Sequence, residues 1–142
     1  MDKINFMNNS QPAINDTNLN LMQDNIENAI SGVVENGSNE NGKYIKFLDG
    51  TMICTKTVTF TGVEFKYSSG NLFFCPILQF GSTPVEFTEV HTISTNISNG
   101  WCFCGGVKNT TVSNFGTTQF FRGDNTTIDS LEVQITAIGR WK

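Results

Sequence analysis

The chain has 142 residues, enough for one ordinary domain and an appendage. Charged residues make up 15% of it and the formal net charge is -4, so it lacks the basic surface that nucleic-acid binding needs. The sequence contains no basic amphipathic helix of the kind that binds membrane surfaces. Its apolar runs are too short to span a membrane. Because the N-terminal stretch has no apolar signal core, we expect synthesis in a cytoplasm without a cleaved signal.

Residues 1–35 are predicted to form a helical segment behind an Asn-rich loop that ends near Asp16. Apolar residues recur there at steps of three and four, which places them on one face of a helix of roughly 17 residues. The helix can pack on its own domain or associate with other copies as a short coiled coil, and we favour association. The predicted association stripe consists of Leu19, Met22, Ile26, Ala29, Ile30 and Val33.

Residues 36–42 are predicted to be a linker, because Asn and Gly dominate the stretch ENGSNENG. From residue 43 to 142 the apolar period changes to two, which is typical of strands. Asp49-Gly50 predicts a two-residue hairpin turn. About eight short strands separated by Gly, Asn or Pro predict a mainly β head domain, an antiparallel, jelly-roll-like β-sandwich. One predicted strand face carries Met52, Cys54, Lys56, Val58 and Phe60.

The residues that enzymes use for catalysis are sparse in this chain. His91 is its only histidine, and the spacing of its carboxylates does not indicate an acid–base pair. Phosphate-binding loops and nucleophile elbows are absent from the sequence. We therefore expect no enzymatic activity, no cofactor and no metal. We expect His91 at a surface or sheet edge, with one alternative open, a metal bound by three copies on a threefold axis.

The stretch WCFC places two thiols two residues apart on one predicted strand. Since strand side chains alternate, Cys102 and Cys104 should share one face, and Trp101 and Phe103 the other. Two thiols on the same face of one strand are badly placed for a mutual disulfide. We favour buried free thiols on the core face, with structural zinc and later-formed disulfides as alternatives.

The N-terminal segment contains a characteristic series of residues: Ile4–Phe6, Pro12–Asn15, Thr17–Asn20, Met22, Gln23, Ile26 and Glu27. This series resembles a short INF strand followed by a PAIN-T-LN-MQ-IE-AI stretch that forms a helix. Such segments occur in tail and baseplate-associated proteins from bacteriophages and prophages of Gram-positive bacteria.

The remainder resembles a tail-fibre tip domain in three places: NGKYIKFLDGTMICTKTVTFTG, LFFCPILQFGSTPVEFTEV and the ending AIGRWK. Two residues depart from the pattern, since Leu48 stands where proline is usual and Cys75 interrupts a Phe-Pro pair. The resemblance implies a homotrimeric, non-enzymatic virion protein with a helical stem and a β-sandwich head. It also implies that the head binds a bacterial surface glycan or cell-wall polymer. The alternative is a structural baseplate or fibre adaptor that joins other tail proteins.

Glycan sites usually combine an aromatic ring with Asn, Asp, Gln or Arg side chains at loop tips. The segments that offer this combination are QFFRGDNTT, NISNGW and KYSSGN. Any one of their aromatic rings can instead be a core or subunit contact. The RGD triplet is too short to indicate integrin binding. The predicted glycan-binding residues are Trp101, Phe120, Phe121, Arg122, Asp124 and Asn125.

Overall fold

The computed structural model describes residues 16–142, so Ile4–Phe6 and Pro12–Asn15 of the resemblance lie outside the described part. The described residues form one helix and ten strands. In chain order these are α1 (Asp16–Ser31), β1 (Val33–Asn39), β2 (Gly42–Phe47), β3 (Thr51–Val63), β4 (Tyr67–Ser69), β5 (Leu72–Phe74), β6 (Leu78–Gln79), β7 (Glu89–Asn99), β8 (Phe103–Lys108), β9 (Thr117–Arg122) and β10 (Ile128–Arg140).

The strands form two antiparallel sheets. The first sheet has the order β1-β2-β3-β10-β7, and the second has the order β4-β5-β9-β6, with β8 also paired to β9. Every strand pair is antiparallel. The prediction of a mainly β chain with one N-terminal helix and antiparallel pairing is therefore confirmed.

The core lies between the two sheets and follows from the period-two pattern of β3 and β10. Leu131, Val133, Ile135 and Ala137 alternate along β10 and are all fully buried. The β3 residues predicted to share a face, from Met52 to Phe60, lie in register beside this β10 row and on the same side of the sheet. Phe60 of the first sheet and Phe120 of the second have ring centroids 6.3 Å apart, so aromatic packing joins the two sheets.

The helix ends earlier than the sequence indicated. Its last residue is Ser31, and Gly32 follows with a φ of 63°, the left-handed conformation in which glycine commonly terminates helices. Leu48 then donates its backbone N–H to Gly32 O at 2.8 Å, which directs the chain into the first sheet. Val33 pairs with Phe47 in that sheet. The inclusion of Val33 in the helical stripe is therefore wrong.

The segment 36–42, predicted as a linker, belongs mostly to β1 and its hairpin with β2. Asn39 pairs with Gly42, which leaves a two-residue turn, and Asn39 Oδ1 accepts the backbone N–H of Asn41 at 2.9 Å. Asn39 also donates its amide to Pro84 O at 2.8 Å. The turn signal in NENG was correct, but backbone pairing with β2 overrides the weak strand propensity of the residues before it.

The end of the chain closes over the hairpin between β2 and β3. The hairpin loop has three residues rather than the predicted two, and Gly50 occupies its left-handed position at a φ of 90°. Asp49 Oδ1 accepts the backbone N–H of Thr51 at 2.8 Å. Trp141 donates its indole N–H to Phe47 O and its backbone N–H to Gly50 O, both at 3.0 Å. The two hydrogen bonds of Trp141, in the terminal GRWK motif, thus stabilise this hairpin.

Candidate functional site

Strands β8 and β9 carry most of the residues that the sequence predicted for binding. Because strand side chains alternate, Phe120 and Phe121 lie on opposite faces of the second sheet. Phe120 is 0% exposed and donates its backbone N–H to Cys75 Sγ at 3.2 Å. Its ring packs in the core and is unavailable to a ligand. The prediction of a glycan-binding role for Phe120 is therefore wrong, whereas Phe121 lies on the outer face.

A shallow depression at one end of the β8–β9 pair brings together three of the predicted residues. Trp101 is 91% exposed, so nearly the whole indole is open to contact. Asn125 is exposed in the adjoining loop but does not line this surface. We call the surface the tryptophan depression, and its lining residues are Gly100, Trp101, Cys102, Phe103, Arg122, Gly123 and Asp124.

Arg122 is held rigidly on the wall of the tryptophan depression. Its Nη2 atom donates to Asp124 Oδ2 at 3.1 Å, and its guanidinium carbon lies 5.5 Å from the centre of the Phe65 ring. Its Nε atom is 2.9 Å from Asp124 Oδ1, close enough for an ion pair but without the alignment of a hydrogen bond. The planar, charged group is therefore fixed in position before any ligand arrives.

Asp124 owes its position to the loop as well as to Arg122. Its Oδ1 atom accepts the Thr126 hydroxyl at 2.6 Å and the Thr126 backbone N–H at 3.1 Å. These two hydrogen bonds, followed by the charge of Arg122, lower the pKa of the Asp124 carboxyl below its ordinary value. At neutral pH the depression therefore presents an ionised carboxylate and a guanidinium side by side, next to an open indole.

An aromatic row crosses the outer face of the second sheet. Direct strand partners place Tyr67 beside Phe74, Phe74 beside Phe121, and Phe121 beside Phe103. The ring centroids of Phe74 and Phe121 are 5.9 Å apart, and those of Phe121 and Phe103 are 5.6 Å apart. Phe103 is 67% exposed although it is large and apolar. We call these four residues, from β4, β5, β9 and β8, the aromatic row.

Three rings of the aromatic row, those of Phe74, Phe121 and Phe103, contact one another in series. Phe103 and Phe121 are stacked with only 25° between their planes, and offset stacking of this kind occupies a face of each ring. The row therefore presents mainly ring edges, apart from its two ends. Trp101 is the better stacking platform for a ligand, because its indole is almost fully exposed. The row is better suited to packing against apolar protein surface.

Phe74 and Phe103 are surface residues that are absent from the predicted glycan-binding set. For Phe103 the sequence offers one signal, because strand alternation places it on the same face as Trp101. Phe74 carried no such signal, because its neighbour Phe73 packs on the core and the stretch LFFCP does not alternate clearly. The pairing of β5 with β9 places Phe74 in the row, and that pairing is not readable from local sequence.

All four cysteines are free thiols, and their placement agrees with the favoured prediction. Cys54 and Cys75 are fully buried, and Cys102 and Cys104 are half-buried against the core. Cys104 Sγ lies 3.2 Å from Thr118 Oγ1 on the core side of β9. Loss of hydration on burial raises the pKa of both Cys54 and Cys102 from an ordinary 9.0 to about 11.

The thiols of Cys54 and Cys102 are therefore expected to react slowly with maleimide in the folded protein. At pH 8 a pKa of about 11 leaves roughly 100-fold less thiolate than a pKa of 9.0, and burial of the sulfur adds to the delay. Peptide mass spectrometry after timed labelling should show fast modification in guanidinium and slow modification without it. Native labelling of Cys54 at the rate of a free peptide thiol would contradict the packing described.

The raised pKa values of Cys54 and Cys102 also predict how the free energy of unfolding changes with pH. The folded chain favours the protonated thiols, so their contribution is complete below the unfolded value near pH 9 and is lost as pH rises toward about 11. Denaturant midpoints should therefore fall across this interval, and the Cys54→Ala variant should show a smaller fall.

The apolar stripe of α1 is exposed in the single chain. Leu19, Met22 and Ile26 each have roughly half of their surface accessible, and Ala29 is also exposed. The side chain of Ile30 lies outside the described residues. In proteins, burial of such a stripe is what usually stabilises a helix of this length. Over residues 16–142 the structure has no helix long and apolar enough to cross a membrane.

His91 lies exposed on β7, an edge strand of the first sheet, as the sequence predicted. Its Nδ1 atom is 3.9 Å from Glu89 Oε1, at the outer limit of an ion pair. Within the described part of the chain, no group of three or more His, Cys, Asp or Glu side chains is arranged to hold a metal ion.

Comparison with protein-family models, with curated proteins and with solved structures finds no significant match to this chain.

Proposed function

We propose that this chain is a non-enzymatic receptor-binding protein of a bacteriophage tail fibre, whose head binds a bacterial surface glycan or cell-wall polymer. The observation that carries the proposal is the open indole of Trp101 beside the fixed Arg122–Asp124 pair. Sugar rings offer apolar C–H faces that stack on aromatic planes, and hydroxyls that pair with guanidinium and carboxylate groups. The resemblance of the chain to fibre-tip proteins supports the same assignment.

The proposed assembly is a homotrimer in the virion, with α1 as a short coiled-coil stem and a jelly-roll-like head. The exposed stripe of Leu19, Met22 and Ile26 supports association through the helix. Trimerisation would present three tryptophan depressions, and many fibres on one particle would multiply them further. Weak individual sugar sites then suffice for firm attachment, because binding of the second and third sites becomes intramolecular.

A structural adaptor is the second candidate, and the aromatic row favours it. Tyr67, Phe74, Phe121 and Phe103 form a continuous apolar strip of the kind that other proteins cover. In that case the head joins neighbouring tail proteins, and Trp101 belongs to a protein contact. The two candidates differ in what the isolated protein binds, which is either bacterial cells or another tail component.

The Trp101→Ala variant is expected to bind Gram-positive cells at least tenfold more weakly than the original chain, a loss of about 1.4 kcal/mol. The Trp101→Phe variant keeps an aromatic plane and should retain most of the binding. Leu48→Ala is the matched control, since it removes another exposed apolar side chain from the hairpin between β2 and β3. Fluorescently labelled protein and a panel of strains provide the measurement.

Equal binding by the Trp101→Ala and Leu48→Ala variants to cells that the original chain recognises would reject the tryptophan depression as the receptor site. Labelled protein that binds none of the strains but captures a purified tail or baseplate protein would reject the receptor role and establish the adaptor role.

A further inference from the structure

A second depression lies on the outer face of the second sheet, next to the tryptophan depression. It encloses about 290 Å³ and lies between β8 and β9. Its floor and walls include the rings of Phe74 and Phe121 together with the polar side chains of Lys108, Asn109 and Gln119. We call it the glycine-bulge depression, after Gly105 and Gly106, which also line it.

The backbone of β8 creates this space. The register between β8 and β9 shifts between Cys104 and Val107, so Gly105 and Gly106 form a bulge. Gly106 has a φ of 90°, and a Cβ atom placed there would meet nothing within 4 Å. Gly105 instead approaches the partner strand closely, since its added Cβ would lie 2.9 Å from Gln119 O. The bulge therefore leaves a hollow that no side chain of the strand fills.

The polar groups around the hollow are oriented in advance. Gln119 donates its amide N–H to Cys75 O at 3.1 Å, and Asn109 donates its amide N–H to Thr117 Oγ1 at 3.3 Å. Each bond fixes a side-chain amide by its nitrogen and leaves the amide oxygen free as an acceptor. The Lys108 ammonium, a donor, has no ion-pair partner among residues 16–142. Two acceptors and one donor suit the hydroxyls of a sugar, and the ring edges of Phe74 and Phe121 provide an apolar surface for its C–H groups.

The two depressions adjoin each other across the stacked pair of Phe103 and Phe121. Phe103 lines the tryptophan depression, and Phe121 lines the glycine-bulge depression. Along β9, Arg122 of the first and Gln119 of the second are three residues apart, which corresponds to about 10 Å of strand, and alternation turns their side chains to opposite faces. The two depressions therefore adjoin only through Phe103 and Phe121 at the end of the sheet. That separation exceeds one sugar ring, so a single sugar cannot occupy both depressions.

We infer that the two depressions are subsites of one elongated site that binds a saccharide chain of several residues, not a single terminal sugar. One residue of the chain stacks on Trp101 and pairs with Arg122 and Asp124. A later residue lies in the glycine-bulge depression, where Lys108 donates to its hydroxyls and the amide oxygens of Asn109 and Gln119 accept from them. This inference rests on the proposed glycan-binding function and specifies its ligand.

The test uses bacterial surface polysaccharides to which the full-length protein binds, cut into fragments of one to six residues. Isothermal titration should show affinity that rises at least tenfold from one residue to three or more. Lys108→Ala and Gln119→Ala should each remove most of the gain in affinity between one residue and three. Lys43→Ala and Gln134→Ala are the matched controls, because both side chains are exposed on the first sheet.

The outcomes separate this inference from the function on which it rests. Affinity that is the same for all fragment lengths, or a length dependence that survives both Lys108→Ala and Gln119→Ala, would overturn the elongated site and leave glycan binding intact. Failure of every polysaccharide and every fragment to bind would instead overturn the proposed function.

Discussion

The Phe120→Ala variant is expected to lose about 3–5 kcal/mol of its free energy of unfolding, because truncating a buried aromatic ring leaves a cavity. Phe120 is fully buried and packs against Phe60 of the opposite sheet. Its backbone also donates to Cys75 Sγ, so the site couples β9 to the segment after β5. Urea denaturation followed by tryptophan fluorescence measures the loss directly.

Phe103→Ala is the matched control for that measurement. It removes the same side chain from the neighbouring strand, but Phe103 is 67% exposed and contacts mainly Phe121 in the aromatic row. We expect it to cost about 1 kcal/mol or less. Equal losses for the two variants would contradict the assignment of Phe120 to the core and Phe103 to the outer surface.

The pair of Phe120 and Phe121 shows what the sequence could and could not predict. Period two requires that adjacent strand residues face opposite sides, so only one of the two rings could belong to a surface site. Which ring faces outward depends on which sheet face meets the core. That choice is set by the packing of β9 against Phe60 and Cys75, which are distant in sequence. Local pattern therefore predicted the strand but not its orientation.

Long alternating strands were predictable in more detail. Along β3 the parity of Met52 to Phe60 was assigned correctly, because a strand with one buried face must repeat every two residues. The shared face of Cys102 and Cys104 was correct for the same reason. The strand β1 was missed because its Asn, Gly and Ser residues have weak strand propensity. Its structure depends on hydrogen bonds with β2, which a local reading does not include.

In the candidate site, too, residue types were predictable from the sequence and strand pairing was not. Trp101, Arg122 and Asp124 were predicted from their residue types, and folding brings them together at one end of the β8–β9 pair. The glycine-bulge depression was not predicted. A bulge becomes a binding surface only through the strand beside it, and β9 supplies Gln119 and Phe121 from more than ten residues away.

Replacing Leu19, Met22 and Ile26 together with glutamine is expected to convert the proposed trimer into a monomer of 15.7 kDa. Glutamine is a good helix former, so the change removes the apolar stripe without disfavouring the helix itself. The stripe is exposed in the single chain, and a helix of 16 residues gains little stability in isolation. Multi-angle light scattering at micromolar concentration measures the molar mass.

Leu21→Gln is the control, because Leu21 is equally exposed but lies roughly 130° around the helix from the stripe. It should leave the molar mass unchanged. The head should remain folded in the triple variant, since its core is formed by the two sheets and includes none of the α1 side chains that the structure describes. Cell binding should then fall far more than the affinity for a soluble oligosaccharide, because avidity is lost while each depression is preserved. An original chain that is already monomeric would refute the trimer. The binding site of the head would then be tested by the Trp101 variants alone.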